Sequence, residues 1–164
     1  MKSVLAAGIL VLACAAPAAA APGMAAMQYY VGSWTCTGGP VGAPPLNATT
    51  TYTLDSGLMH QWVTVPRQRQ GKMTKPYVIS FATTYDAKKR QYVQTSLDSD
   101  GAWGVSVAKL WTGNTEQWTD SATSDGKLGH GTGFRTSANA YVYTGYPTAT
   151  STKPNFRVSC KRST

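Results

Sequence analysis

Two cysteines, Cys36 and Cys160, stand near opposite ends of the chain, each inside a stretch that alternates apolar and polar residues like a β-strand. In an antiparallel sheet that curls until its first and last strands meet, two such residues become neighbours, and a disulfide between them staples the seam. The pair therefore points to an all-β fold: a closed antiparallel up-and-down barrel. Two cysteines allow only one connectivity, and closing so long a loop contributes roughly 4–5 kcal/mol in the chain-entropy model. A redox or metal role is disfavoured, because there is no Cys-x-x-Cys spacing and only His60 and His130 are at hand to complete a site.

The third cysteine, Cys14, falls in a segment with the anatomy of an export signal. Lys2 supplies the positive end, Val4 to Ala13 the short apolar run, and Ala18-Ala19-Ala20 the small-residue cleavage site. Residues 1–20 are read as the leader, 21–28 as a linker with a short helix, and 29–164 as the barrel. The even cysteine count that remains suits an oxidising compartment, secreted or periplasmic. A second reading takes Val11-Leu12-Ala13-Cys14, which resembles the box of bacterial lipoproteins whose cysteine is lipidated; the bulky Leu12 fits it poorly. No later stretch reaches the roughly 20 apolar residues of a membrane helix.

Helical periodicity is nearly absent. Runs of Thr, Tyr, Val and Trp are separated instead by Gly, Asp, Asn and Pro, the pattern of many short strands. A ten-strand reading is Tyr30–Thr37, Ala48–Leu54, Leu58–Val65, Tyr77–Tyr85, Gln91–Leu97, Trp103–Trp111, Thr115–Ser121, Thr132–Thr136, Tyr141–Tyr146 and Asn155–Lys161, and a barrel of eight to ten strands is expected. Turns at Asp55-Ser56-Gly57, Asp100-Gly101, Thr112-Gly113 and Asp125-Gly126 supply residues tolerant of positive φ. The segment Gly38 to Leu46, stiffened by Pro40, Pro44 and Pro45, is long enough to fold over a barrel mouth. The helical candidate is Gly23–Tyr29, with Met24 and Met27 on one face as a plug.

Gly32-Ser33-Trp34, on a first strand preceded by a short apolar helix, resembles the Gly-x-Trp motif that opens the lipocalins and their relatives. The longer Gly32-Ser33-Trp34-Thr35-Cys36-Thr37-Gly38 is similar to the Gly-x-Trp-x-Gly-x-Gly opening of bacterial lipocalin-like barrels of unknown function and of the nitrobindins, with Cys36 in place of the middle glycine. Tyr85-Asp86, the two Asp-Gly hairpins and Cys160-Lys161-Arg162 fall in similar places. The resemblance implies that Trp34 packs across the closed end under a basic side chain of the last strand, for which Arg162 is the candidate. It also raises heme. The last strand lacks the nitrobindins' proximal histidine, so His60 or His130 would have to supply the axial ligand.

A two-residue Thr112-Gly113 turn would set Lys109 opposite Glu116, Val107 opposite Trp118 and Val105 opposite Asp120, and so put Trp103, Val105, Val107, Lys109, Glu116, Trp118 and Asp120 on one inward face. His60 and Trp62 share a face of the third strand, Tyr77, Ile79 and Phe81 one of the fourth, Tyr141 and Tyr143 one of the ninth. The expected ligand-binding set is accordingly His60, Trp62, Tyr77, Phe81, Trp103, Glu116, Trp118 and Tyr143, with Glu116 desolvated among aromatic rings and aimed at a polar or cationic group. His130, in Gly129-His130-Gly131, is expected in a loop.

The chain carries 15 Lys and Arg against 7 Asp and Glu, an excess that favours anionic surfaces. Arg67, Arg69, Lys72 and Lys75 concentrate it between the third and fourth strands. Nucleic acid is disfavoured for an exported chain without a recognised motif. No nucleophile elbow, zinc helix, phosphate loop or dinucleotide fingerprint is present, and Asp98-Ser99-Asp100-Gly101 lacks the later ligands of a calcium loop. Three functions fit: a binding module for a small apolar or aromatic molecule, a filled barrel acting through its basic surface, and a lipocalin-like isomerase or cyclase using Glu116 with His60.

Overall fold

In a computed structural model of the chain, residues 23–69, 72–111 and 113–164 are described. The leader, Cys14 and Thr112 lie outside them, as does the side chain of Arg69. A 3-10 helix, Ala25–Tyr30, leads into ten strands: β1 (Gly32–Pro40), β2 (Leu46–Asp55), β3 (Leu58–Arg69), β4 (Lys72–Asp86), β5 (Gln91–Asp98), β6 (Trp103–Lys109), β7 (Thr115–Thr123), β8 (His130–Ser137), β9 (Ala140–Tyr146) and β10 (Phe156–Arg162). Each pairs antiparallel with its chain neighbours, and β10 pairs with β1 to close the barrel. The architecture is compatible with a lipocalin-like fold.

Cys36 and Cys160 lie directly opposite one another on that seam and are joined by a disulfide with a Cα–Cα distance of 4.0 Å, across a sequence separation of 124. Strand alternation then sets what faces inward. Along β1 Trp34 and Cys36 are buried between exposed neighbours, and along β7 Glu116 and Trp118.

One end of the barrel is shut by the short helix. Met24 and Met27 are almost fully buried there with Trp34 and Tyr92, and each methionine contributes roughly 1.5–3 kcal/mol by burial. Arg162 stacks 4.3 Å over the Trp34 ring and donates to the carbonyls of Tyr29 and Val31, both at 2.6 Å. Arg135 stacks 4.5 Å over Tyr29 and donates to the Ala26 carbonyl at 2.8 Å. Two guanidinium groups thus satisfy the backbone of a helix too short to satisfy itself. Gly23 has φ +103°, and a Cβ there would strike the Tyr85 ring.

Two expectations are corrected by register. The β6–β7 connection spans residues 110–114, longer than a two-residue turn, so Ala108 rather than Val107 lies opposite Trp118, and Ser106 rather than Val105 opposite Asp120. A slip of one residue turns every side chain to the other wall. Trp103, Val105, Val107 and Lys109 therefore face outward, and Trp103 is 48% exposed. His130 is the first residue of β8 rather than part of a loop, its ring stacked 4.3 Å from Tyr146.

Candidate functional site

The opposite end is open, and beneath it lies a lumen of about 480 Å³. Its side walls are apolar: Val63 and Val65 of β3, Ile79 and Phe81 of β4, and Val158 of β10. The floor is polar and aromatic, made by Tyr30 of the helix, Thr50 and Tyr52 of β2, Glu116 and Trp118 of β7, and Tyr141 of β9.

Glu116 is 7% exposed. The Tyr30 hydroxyl donates to its Oε1, and Trp118 Nε1 donates to its Oε2 at 3.2 Å. Burial raises the carboxyl above the ordinary glutamate range, while the Tyr30 and Trp118 hydrogen bonds and the field of Arg135 pull the other way. Among the described residues the ion pairs are Arg67–Asp100 and Lys127–Asp125, so no cation is in contact with Glu116. Around it Tyr30 packs edge-on against Tyr141 at 5.3 Å and tilted against Tyr52 at 5.4 Å, and the Tyr52 and Tyr141 hydroxyls share a 2.8 Å hydrogen bond. Such a floor accepts a hydrogen bond or a positive charge from a group otherwise surrounded by hydrocarbon.

Backbone makes room for this group. In β8, Gly133 lies opposite Glu116 and Tyr143, and Gly131 opposite Trp118. A Cβ on Gly133 would overlap the Glu116 carboxyl, and one on Gly131 the Tyr143 hydroxyl. Large and small residues alternate laterally around the wall, as in the row Tyr92, Ala108, Trp118, Gly131, which is how a closed barrel seats aromatic rings without strain.

Of the expected ligand-binding set, Tyr77, Phe81, Glu116, Trp118 and Tyr143 line the lumen. His60, Trp62 and Trp103 do not. Pairing of Gln61 with Phe81 and of Val63 with Ile79 commits the odd-numbered residues of β3 to the interior, leaving His60 stacked on Trp62 at 5.5 Å outside, with Trp62 44% exposed. Glu116 and His60 thus stand on opposite sides of the wall and form no acid–base pair. Neither histidine lines the lumen, and a heme there would take its axial ligand from another residue type. Tyr30, Thr50, Tyr52 and Gln61 are lumen residues that sequence reasoning missed. The signal for three of them was alternation, of Thr50 with Tyr52 along β2 and of Gln61 with Met59 along β3, whereas Tyr30 comes from the helix.

At the mouth, Arg67 makes a bidentate contact with Asp100 at 2.6 and 3.1 Å and lies 4.6 Å over the Tyr77 ring. Tyr77 donates to Asp98 Oδ2 at 2.5 Å. These contacts hold both aspartates below the usual carboxylate range, Asp98 chiefly through Tyr77 and Asp100 through Arg67. The basic cluster is therefore divided: Arg67 is tied to the barrel, while Lys72 and Lys75 are exposed. Among the described residues there is no group of three or more His, Cys, Asp and Glu placed to hold a metal, and no helix is long and apolar enough to cross a membrane.

No protein-family model matches the chain, and no curated protein matches it.

Proposed function

We propose that this barrel is a binding module whose lumen holds a small, mainly apolar or aromatic molecule, with that molecule's donor or cationic group against Glu116. The observation that carries the reading is an open cavity of about 480 Å³ ending on a buried carboxyl that forms no ion pair among the described residues. That volume falls within the range of small-molecule sites, roughly 300–1,000 Å³. Apolar walls provide affinity, and the Glu116 carboxyl in the floor orients the occupant. The Cys36–Cys160 bond supports work outside the reducing cytoplasm, since disulfides persist in oxidising compartments.

Native mass spectrometry on the chain purified from its own secretory compartment tests this directly. The expected result is an adduct of small-molecule mass that is lost on denaturation, and saturable one-to-one uptake of apolar amines by the emptied protein. Ile79→Trp, which fills the lumen from its β4 wall, abolishes both while leaving the far-ultraviolet circular dichroism unchanged. A bare chain that takes up no apolar amine and is indifferent to Ile79→Trp overturns the proposal.

A further inference from the structure

The ten strands meet at two ends, and exposed large hydrophobic residues are distributed unequally between them. Seven of the eleven among the described residues lie at the open end, and every connection there contributes. Val41 follows β1 and Leu46 begins β2, Met73 is near the tip of the β3–β4 hairpin, Leu97 and Trp103 flank the β5–β6 turn, Leu128 precedes β8, and Phe156 begins β10. Met73 is 63% exposed, Val41 and Leu97 56% each. Among the described residues the shut end offers Leu58 and Leu110, with Trp62 and Phe134 on the outer wall. An apolar ring around one mouth is more than the scatter expected of a monomer's surface.

Cations stand within this ring. Lys72, Lys75, Lys153 and Arg157 are exposed at the open end, and no ion pair among the described residues engages them. The acids of that end are already used. Asp98 accepts from Tyr77 and from the backbone of its own turn, Asp100 pairs with Arg67, and Asp125 with Lys127. The shut end is also basic, at Lys88, Lys89 and Arg90. Hydrophobicity, not charge, distinguishes the two faces.

The β3–β4 hairpin projects furthest. Its ladder runs to Arg69 opposite Lys72, whereas β2 pairs with β3 only as far as Thr64 and β5 with β4 only as far as Ile79. Arg67 pins this ribbon to Asp100 of the β5–β6 turn, and Lys72, Met73 and Lys75 are exposed on its outer part, at the same end of the barrel as Leu97 and Trp103.

We infer that the open end docks on an anionic phospholipid surface, the apolar ring entering the boundary between headgroups and acyl chains and the unpaired cations meeting the headgroups. Complementary charge and an interfacial tryptophan in one ring are the features that bind such a surface. Docked in this way, the lumen opens directly toward the acyl region. The inference does not depend on what the lumen carries.

Sedimentation with vesicles tests it on the folded chain with its disulfide intact. Vesicles of phosphatidylcholine with about one-third phosphatidylglycerol, a composition chosen for its negative surface potential, are expected to bind the protein at least about tenfold more tightly than pure phosphatidylcholine. Both Met73→Asp with Leu97→Asp and Lys72→Glu with Lys75→Glu weaken binding by about tenfold or more; Leu110→Asp at the shut end leaves it unchanged. Acyl-brominated lipid quenches a part of the tryptophan emission that Trp103→Phe removes. Equal affinity for the two vesicle types, or an effect of Leu110→Asp as large as that of the rim variants, overturns the inference. So does a dimer that Met73→Asp with Leu97→Asp dissociates in the absence of vesicle binding, which would make a second copy the occupant of this face.

Discussion

Glu116 is held by forces of opposite sign. Burial among Tyr30, Trp118 and Tyr141 disfavours its charge, two hydrogen bonds favour it, and burial prevails. With the native pKa above the unfolded value, the folded chain holds more protons than the unfolded chain between the two. This group's contribution is therefore full at low pH, falls as pH rises from the ordinary glutamate value through the native one, and is constant beyond. Glu116→Gln removes the titration. Its melting temperature relative to wild type should rise with pH across that window, and a pH-independent difference would show an ordinarily solvated carboxyl. Gly133 is the second residue on which the floor depends. Gly133→Ala places a methyl group in the Glu116 carboxyl; the expected loss is about 1–3 kcal/mol of stability, as for other overpacked interiors, measurable by urea denaturation. The desolvation of Glu116 is legible from its alternation with Trp118, whereas the clash at Gly133 is not, because it depends on the residue that register places opposite.

Among the elements, strands were legible and one register was not. Alternation located all ten strands, with β3 and β4 longer than expected because their hairpin continues beyond the barrel wall. The face of β6 differs from expectation for a physical reason. Its outward side carries Trp103, Val105 and Val107, and its inward side carries Gly104, Ser106 and Ala108, because Tyr92 and Trp118 fill the space in front of Ala108. A rule that sends the more apolar face inward fails where the neighbours' rings have already occupied the interior. In β3 the same rule chose Trp62 over Gln61. The projecting ribbon makes a prediction of its own, since a two-stranded hairpin is marginal without a third contact. Arg67→Ala should speed amide hydrogen exchange over residues 72–77 while changing global stability by less than about 1 kcal/mol, the scale of an exposed ion pair; unchanged exchange would mean that the ribbon holds itself.

Taken as a whole, the molecule closes twice over. The β1–β10 ladder runs from Trp34 opposite Arg162 to Pro40 opposite Phe156, so the seam is hydrogen-bonded along its length as well as cross-linked. The disulfide therefore acts mainly on the unfolded chain, by restricting a loop of sequence separation 124. Cys36→Ala with Cys160→Ala should keep the strand signature of circular dichroism and lower the melting temperature by about 10–15 °C, the equivalent of roughly 4–5 kcal/mol in a domain of this size. Loss of the strand signature at 25 °C would make the cross-link a condition of folding. Two-ended construction also separates tasks. The short helix and two arginines spend their interactions on sealing one end, which leaves the other end open above an apolar lumen and ringed by exposed hydrophobic residues.

By itself the sequence determined the class of the fold, the number and approximate place of the strands and the cysteine pair. These follow from period-two alternation, turn chemistry and cysteine count, all of which act over short stretches or by elimination. Tertiary structure alone decided that Glu116 shares its floor with Tyr30, Tyr52 and Tyr141 and that His60, Trp62 and Trp103 stand outside. The reason is geometric. Inside and outside in a barrel alternate at every residue, so the identity of a lumen depends on register between strands, and register is set by connection length and by the fit of large rings against small neighbours rather than by any strand's own composition.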